Sequence, residues 1–406
     1  MKLKQEMESG EHTNAFLSKG DIRTTLAGTL SGVTFSVKDN IDVAGLVSSY
    51  GSPDWLSEHP AALHNAVCVD LALAAGARYV GKVVADEFTY SLEGQNQFFG
   101  TPLNPKAPDR IPGGSSSGSA ASVATGSCDF SLGTDSGGSI RVPASFCGVW
   151  GIRPSLHRVS EAGVLPFMPS VSTVGVIASG LDVLIKAMQA ISPAHVEPQQ
   201  AVQRLVVLED AMDIADEDVR ATGYATLETL SRASGVSLEV LRFSDITNED
   251  LPLEACNLRA LRNIQTAEVQ STLGTWIDHH KPQMGYGFSQ AYANVVSFDR
   301  TSLAQSWELR ELLHRKINTF FRPGTLICFP TTPFVAPLKN SLTTLDSVLD
   351  FYDRTMAITA FSGVARLPEV SAPLLSVDHL PVGLSFAAGN GQDAFLLSAL
   401  NQLTAS

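Results

Sequence analysis

Two serine-rich clusters and one lysine carry the side chains of this sequence best suited to attack a carbonyl group. Lys38 directly follows a short β-branched and aromatic run, and the clusters are GGSSSG at 113–118 and GTDSGGSIR at 133–141. Cleaving an amide requires a nucleophile, a base that activates it, an acid for the departing amine and hydrogen-bond donors for the oxyanion. A serine that directly follows two glycines, as Ser139 does, suits the first and the last of these roles.

The second cluster also has the composition of an anion-binding turn. Glycine lacks the Cβ that would keep a carbonyl group away, and successive N–H groups in such a turn converge on an anion. The sequence therefore predicts an oxyanion hole formed by the backbone N–H groups of Ser136, Gly137, Gly138 and Ser139. Taken alone, a glycine- and serine-rich loop is more often an ordinary turn, and most lysines are solvated surface charges.

Four neighbours of these residues are predicted to support the site without reacting, namely Ser116, Thr134, Asp135 and Arg141. Asp135 is expected to accept hydrogen bonds from the turn and hold it rigid, and Arg141 is expected to pair with a nearby carboxylate. Cys147 lies in the apolar stretch ASFCGVWG, which predicts a buried and unreactive thiol.

The runs that must position these residues alternate between strand-like and helix-like patterns. This alternation predicts an α/β fold, a single α/β/α domain over residues 1–406 with a large mixed β-sheet flanked by helices. Residues 94–118 and 134–148 are predicted as glycine-rich loop and turn segments. The predicted strands are 33–37, 79–84, 130–133, 204–208, 237–242, 325–329, 370–375 and 381–387. The predicted helices are 61–75, 117–126, 215–234, 253–273, 300–319 and 391–404.

The composition indicates in which compartment the protein is found and which kinds of partner are disfavoured. A hydrophobic fraction of 44% indicates a globular chain, and a net charge of −13 disfavours nucleic acid and membrane surfaces as partners. The first residues lack the apolar stretch of a signal peptide, and the five cysteines are scattered, so we expect a cytoplasmic protein with reduced thiols. The nine histidines show no metal-binding spacing, so no metal and no cofactor are predicted. The oligomeric state is left open, with a homodimer as one option.

Three motifs resemble, in order and spacing, those of the amidase signature family. They are VKDNID at 37–42, PGGSSSGSA at 112–120 and GTDSGGSIRVPASFCG at 133–148. The resemblance implies the amidase signature fold and a catalytic triad of Lys38, Ser115 in a cis peptide bond, and the nucleophile Ser139. In this chemistry Ser139 forms an acyl-enzyme while Ser115 and Lys38 relay protons, which requires burial to lower the pKa of Lys38 from its usual range.

Longer stretches resemble the plant indole-3-acetamide hydrolases and their bacterial relatives. These stretches are 51–55, 87–108 and 129–155. The resemblance implies a small amide substrate with an apolar or aromatic acyl part, such as an arylacetamide. The possible pocket walls are Trp276, Tyr286, Phe288 and Tyr292. These four side chains could equally be core or surface residues.

Three other functions remain open from the sequence. The chain could be the amidase subunit of a tRNA-dependent amidotransferase, an amidase for a polar or dicarbonyl amide, or a binding protein that uses the same fold without catalysis. The pattern GSSSG at 114–118 matches the nucleophile elbow of α/β-hydrolases, but the hydrophobic strand that such an elbow requires does not precede it.

Overall fold

The computed structural model of the chain describes residues 13–24, 27–192 and 200–404. The prediction that no signal peptide is present concerns residues 1–16, of which 1–12 lie outside the described part. The strands are β1 Phe16–Ile22, β2 Thr34–Lys38, β3 Arg78–Val83, β4 Phe130–Asp135, β5 Trp150–Arg153, β6 Thr173–Ala178, β7 Arg204–Leu208, β8 Ser237–Leu241, β9 Thr325–Pro330, β10 Glu369–Val377 and β11 Leu380–Ala387.

These strands form one 11-stranded sheet in the order β1-β3-β2-β4-β6-β5-β10-β11-β9-β7-β8. Strand β2 runs parallel to both neighbours, β3 and β4, and β7 runs parallel to β8 and β9. The remaining pairs are antiparallel. The predicted mixed sheet is therefore confirmed.

Helices flank the sheet on both of its faces. Those in the described residues are α1 Pro53–Glu58, α2 Val67–Ala74, α3 Ser117–Ala124, α4 Arg141–Cys147, α5 Leu181–Ile191, α6 Glu209–Ile214, α7 Glu217–Ser234, α8 Phe243–Thr247, α9 Arg262–His280, α10 Tyr286–Val296, α11 Leu303–Phe320, α12 Leu345–Ala365 and α13 Asp393–Thr404. No helix in the described residues is long and apolar enough to cross a membrane.

Apolar clusters cover both faces of the sheet. In β7, Leu205 and Val207 belong to one buried cluster, whereas Val206 and Leu208 belong to another. Successive strand residues point to opposite faces, so each face of this strand packs against its own layer. The arrangement agrees with the predicted order of layers, in which helices lie above and below the sheet.

Several predicted segments are wrong in detail. The helix predicted at 61–75 begins only at Val67, because the Ala62 N–H donates to the carbonyl of Leu46 and the Gly45 N–H donates to that of Ala62. The turn predicted at 134–148 contains α4, and β4 extends into it as far as Asp135. The helix predicted at 253–273 opens with a π-helical turn, and α9 then continues to His280.

Candidate active site

Strand β2 ends at Lys38, whose amine therefore lies at the C-terminal end of this interior strand. Because β4 runs parallel to β2, Thr134 near the C-terminal end of β4 lies at the same end of the strands. Lys38 Nζ lies 2.8 Å from Ser115 Oγ and 2.9 Å from Thr134 Oγ1. Both Lys38 and Ser115 are fully buried. The structure therefore brings the predicted base and the predicted relay serine within the distance of direct proton transfer.

Backbone contacts hold Ser115 in place just before α3. The Gly114–Ser115 peptide bond is cis, as the family resemblance implies. The Gly114 N–H donates to the carbonyl of Leu92, and the Asp86 N–H donates to the carbonyl of Ser115 at 3.2 Å. Both sides of this peptide bond are thus tied to the segment that follows β3.

Ser139 lies in the turn between β4 and α4, next to the first serine cluster. The Ser116 N–H donates to the Ser139 carbonyl at 3.1 Å, and the Ser116 hydroxyl donates to the Thr134 carbonyl at 3.3 Å. Ser139 is 6% exposed, whereas Lys38 and Ser115 are 0% exposed. Of these three residues, only Ser139 retains some exposed surface, although it too is buried.

Asp135 organises the turn that carries Ser139. Its carboxylate accepts the N–H groups of Gly138 at 3.1 Å and Ile140 at 3.0 Å. Because the first of these bonds engages the Gly138 N–H, that group supports the turn in this structure. The N–H groups of Ser136, Gly137 and Ser139 remain predicted oxyanion donors.

Gly138 meets a conformational requirement of the turn. Its φ of +123° lies in the region that favours glycine, and an added Cβ would come within 3.1 Å of Thr359 and Val142. Thr359, on α12, also donates its hydroxyl proton to the Gly137 carbonyl at 2.6 Å. Helix α12 therefore also supports the turn.

A buried network of charges stands behind this turn. Arg141 pairs with Asp135 at 2.8 Å and with Glu369 at 2.7 Å, and Arg153 lies 3.3 Å from Asp135, all with fully buried side chains. Burial alone would raise the pKa of Asp135, but the charges of the two guanidinium groups outweigh it and hold this pKa well below its usual range. Asp135 and Arg141 thus have the supporting positions that the sequence predicts.

We expect Arg141→Met to lower the free energy of unfolding by about 3–5 kcal/mol, because it leaves two buried carboxylates without their shared cation. Denaturant unfolding followed by circular dichroism measures this loss. Arg220 pairs with Asp213 at 3.9 Å and is 41% exposed, so the matched control Arg220→Met should cost less than about 1 kcal/mol. Equal losses in the two variants would contradict the structural role of the network.

Burial changes the acid–base properties of Lys38. Desolvation of the ammonium form lowers the pKa of Lys38 to about 7, against an opposing attraction from Asp86 and Asp135. A lysine in this state is largely neutral above neutral pH and can accept a proton. This is the direction that the sequence predicts for a lysine acting as a base.

A cavity of about 140 Å³ opens beside the turn, between the sheet edge and the segment before β6. Its polar walls include Asn40, Thr134, Ser136 and Ser172, and Phe167 contributes an aromatic wall. Its other walls are Glu161, Val164, Leu165, Pro166, Pro169, Thr173 and Val174. A small molecule in this cavity would lie close to Thr134, which contacts the amine of Lys38.

Three of the four predicted pocket aromatics belong to a packed cluster, and the fourth does not. Phe288 packs on Phe88 at 4.8 Å and on Tyr292 at 5.7 Å, and Trp276 packs on Phe88 at 5.8 Å. Tyr286 is 76% exposed and lies outside this cluster. The three packed rings act as core residues in this structure.

The cluster reaches the cavity through two other aromatic residues. Tyr90 packs against Phe288 at 5.7 Å and against Phe167 at 5.4 Å, and Phe167 lines the cavity beside Ser136. Sequence reasoning did not select Tyr90 or Phe167. No feature of the sequence distinguishes them from other aromatic residues.

Two charged partners of the turn were also missed, Glu369 and Arg153. Each is a single charge inside an otherwise uncharged strand run, GIRPS for Arg153 and PEVSA for Glu369. A lone charge in such a run is a signal of a buried ion pair, because strands on the inside of a sheet rarely carry unpaired charges. Among the described residues, no group of three or more His, Cys, Asp or Glu side chains could hold a metal ion.

The wide mixed sheet flanked by helices, with a buried lysine–serine contact at the C-terminal end of β2, has the architecture of an α/β enzyme. The Amidase family model matches residues 13–397, and the chain belongs to this family. This confirms the resemblance that the three motifs carry at the level of the family.

Individual relatives cover nearly the whole chain. Amidase 1 of Arabidopsis thaliana is 32% identical over 430 residues, which cover 98% of this chain and 100% of that protein. A glutamyl-tRNA(Gln) amidotransferase subunit of Halobacterium salinarum is 28% identical, with coverage of 95% and 98%. A crystal structure of an amidase superposes with a TM-score of 0.81 at 25% identity, with coverage of 94% and 85%.

Proposed function

We propose that this protein hydrolyses a small carboxamide to a carboxylic acid and ammonia through an acyl-enzyme on Ser139. The observation that carries the proposal is the fully buried contact of 2.8 Å between Lys38 Nζ and Ser115 Oγ. An amine with a pKa near 7 can act as a base, and the hydroxyl group that it contacts can pass a proton to it. Membership of the amidase family supports an amide as the substrate.

The reaction follows from the roles of these groups. Ser139 attacks the amide carbonyl as its proton passes through Ser115 to neutral Lys38. The N–H groups of Ser136, Gly137 and Ser139 bind the negative oxygen of the tetrahedral intermediate. The proton then returns through Ser115 to the nitrogen, ammonia departs, and water hydrolyses the acyl-enzyme by the same relay. Ser116 and Asp135 keep the two serine segments in register throughout.

Within this reaction, we assign the substrate to the amides with an apolar or aromatic acyl part. The resemblance of residues 51–55, 87–108 and 129–155 to plant indole-3-acetamide hydrolases supports this choice. Phe167 and Tyr90 supply aromatic surface beside the cavity. Ring packing of this kind is worth about 0.5–1.5 kcal/mol per pair beyond the buried area.

The test is to measure kcat/KM by ammonia release for indole-3-acetamide and phenylacetamide against acetamide and malonamide. We expect the two arylacetamides to be preferred by about tenfold or more, which corresponds to about 1.4 kcal/mol of transition-state binding. A tenfold preference for malonamide would exclude the arylacetamide assignment but not the proposal that this site hydrolyses small amides. Release of ammonia from none of the four would contradict the proposal that this site hydrolyses small amides.

The second candidate function is that of an amidotransferase subunit. The specific observation in its favour is the 28% identity to the glutamyl-tRNA(Gln) amidotransferase subunit over 95% of the chain. A free-standing amidase should turn over its substrate as the purified chain alone. Activity that appears only when partner subunits copurify would favour the amidotransferase.

A further inference from the structure

Asp86 is a buried carboxyl group that contacts the segment carrying Ser115 and neither gives nor takes a proton in the proposed reaction. It follows β3, is 1% exposed, and precedes the short 3₁₀ turn Glu87–Thr89. Its Oδ2 accepts the Gly94 N–H at 3.0 Å. Side-chain hydrogen bonds from Ser91 and Ser117 also stabilise the ionised form of this carboxylate. Burial outweighs these contacts and raises the pKa of Asp86, and the nearby charge of Lys38 opposes that rise.

The contacts of Asp86 converge on the Gly114–Ser115 segment. Its backbone N–H donates to the Ser115 carbonyl at 3.2 Å. A Cβ added to Gly114 would lie only 2.0 Å from Asp86 Oδ2, so the α-carbon of Gly114 packs directly against the carboxylate. One residue thus contacts both sides of the peptide bond that presents the Ser115 hydroxyl to Lys38.

The charge of Asp86 also acts on Lys38. After burial, the attraction of Asp86 is the largest influence on the pKa of Lys38, ahead of that of Asp135, and it favours the ammonium form. The two arginines already neutralise Asp135, so the Asp86 carboxylate is the less compensated of the two. Glu93 and Tyr352 are the other titratable groups whose charges couple to Asp86.

We propose that Asp86 is a positioning residue of the active site, which holds the Gly114–Ser115 segment and supplies the counter-charge of Lys38. This inference rests on the proposed function, because it assigns Lys38 the role of the base. Its contacts are with Gly114 and Ser115, so it acts through Ser115 and Lys38. Its negative charge keeps the base strong enough to take the proton of Ser139 through the relay.

The direction of the effect follows from the charges. Burial raises the pKa of Asp86 to about 6, so the group is ionised over most of the range in which Lys38, with a pKa of about 7, loses its proton. Removing this charge destabilises the ammonium form and lowers the pKa of Lys38 further. The acid limb of the rate profile then moves to lower pH, and the plateau falls because the base is weaker. Because Lys38 and Asp86 interact, the acid limb of the wild-type profile reports the titration of the two groups together.

The test is the pH dependence, from pH 5 to 9, of the rate at which a fluorophosphonate labels Ser139 in the full chain, read by intact mass. We expect Asp86→Asn to move the acid limb down by about 0.5–1 pH unit and to lower the plateau several-fold. Glu87→Gln is the matched control. This neighbouring buried carboxyl accepts the Gly285 N–H at 2.9 Å, so its variant should leave the limb in place.

The possible results separate the two claims. If Asp86→Asn does not fold, as judged by circular dichroism, Asp86→Ser removes the same charge with a smaller side chain and should show the same shift. A wild-type limb position in the folded variant overturns the role of Asp86, even if the plateau falls. Absence of labelling in the wild type overturns the proposed function and this inference with it.

Discussion

Ser139→Ala should abolish turnover and covalent labelling while the fold remains intact. The hydroxyl group is the only part lost, and it lies in a turn fixed by Asp135, Arg141 and α12 rather than by its own side chain. We expect kcat to fall by about 10⁶-fold, the usual order for loss of a nucleophile. Ammonia release and intact mass after treatment with a fluorophosphonate measure the two losses, and circular dichroism checks the fold.

Ser115→Ala is the informative comparison for this prediction. It removes the hydroxyl group that contacts Lys38 Nζ but leaves the proposed nucleophile in place. We expect a smaller loss of rate, since a water molecule can replace the bridging hydroxyl, and Ser139 should still be labelled slowly. Labelling of Ser139→Ala together with none of Ser115→Ala would reverse the two assignments.

The parts of this site that the sequence predicts are those held by neighbours along the chain. Lys38 ends a strand run, and the two serine clusters carry glycines that only tight turns require, so their positions at one edge of the sheet follow from the motifs. The glycine at 138 has the positive φ that such a turn needs. The contact between Lys38 and Ser115 joins positions 77 residues apart, so it was expected from the resemblance to a family and not from a local pattern.

The parts that the sequence does not predict depend on contacts between distant positions. Arg141 and Glu369 are 228 positions apart, and nothing in either local pattern pairs them. Helix α12 was missed because 357–365 is a run of consecutive buried residues, which leaves no polar face to reveal a helical period. Helix α4 is also buried throughout, so a glycine-rich neighbourhood concealed it.

The burial of the aromatic residues after Gly274 also could not be predicted from the sequence. The segment that follows Gly274 is rich in rings, but composition does not say which face of a helix turns inward. Phe288 and Tyr292 face the core, whereas Tyr286 faces solvent. The ring beside the cavity is Phe167, which lies more than a hundred positions earlier in the chain.

Lys38→Met should lower kcat/KM by about 10²–10⁴-fold, the range expected for removal of a general base. Methionine retains the apolar stem of lysine and fills the buried space, so the variant loses the amine and its hydrogen bonds to Ser115 and Thr134. The rate of ammonia release at saturating and limiting substrate measures this loss. Thermal unfolding should show little destabilisation, since a desolvated amine is replaced by an apolar group.

The pH profile distinguishes loss of the base from a general disturbance of the site. Burial lowers the pKa of Lys38 to about 7, so in the wild type the active, neutral form is rare below pH 6 and dominates above pH 8. kcat/KM should therefore rise with pH through about 7 and level off. In Lys38→Met this rise should disappear, and the residual rate should increase only as hydroxide does. A wild-type rate that does not change between pH 5 and 9, or a Lys38→Met variant that retains the limb near pH 7, would show that another group is the base.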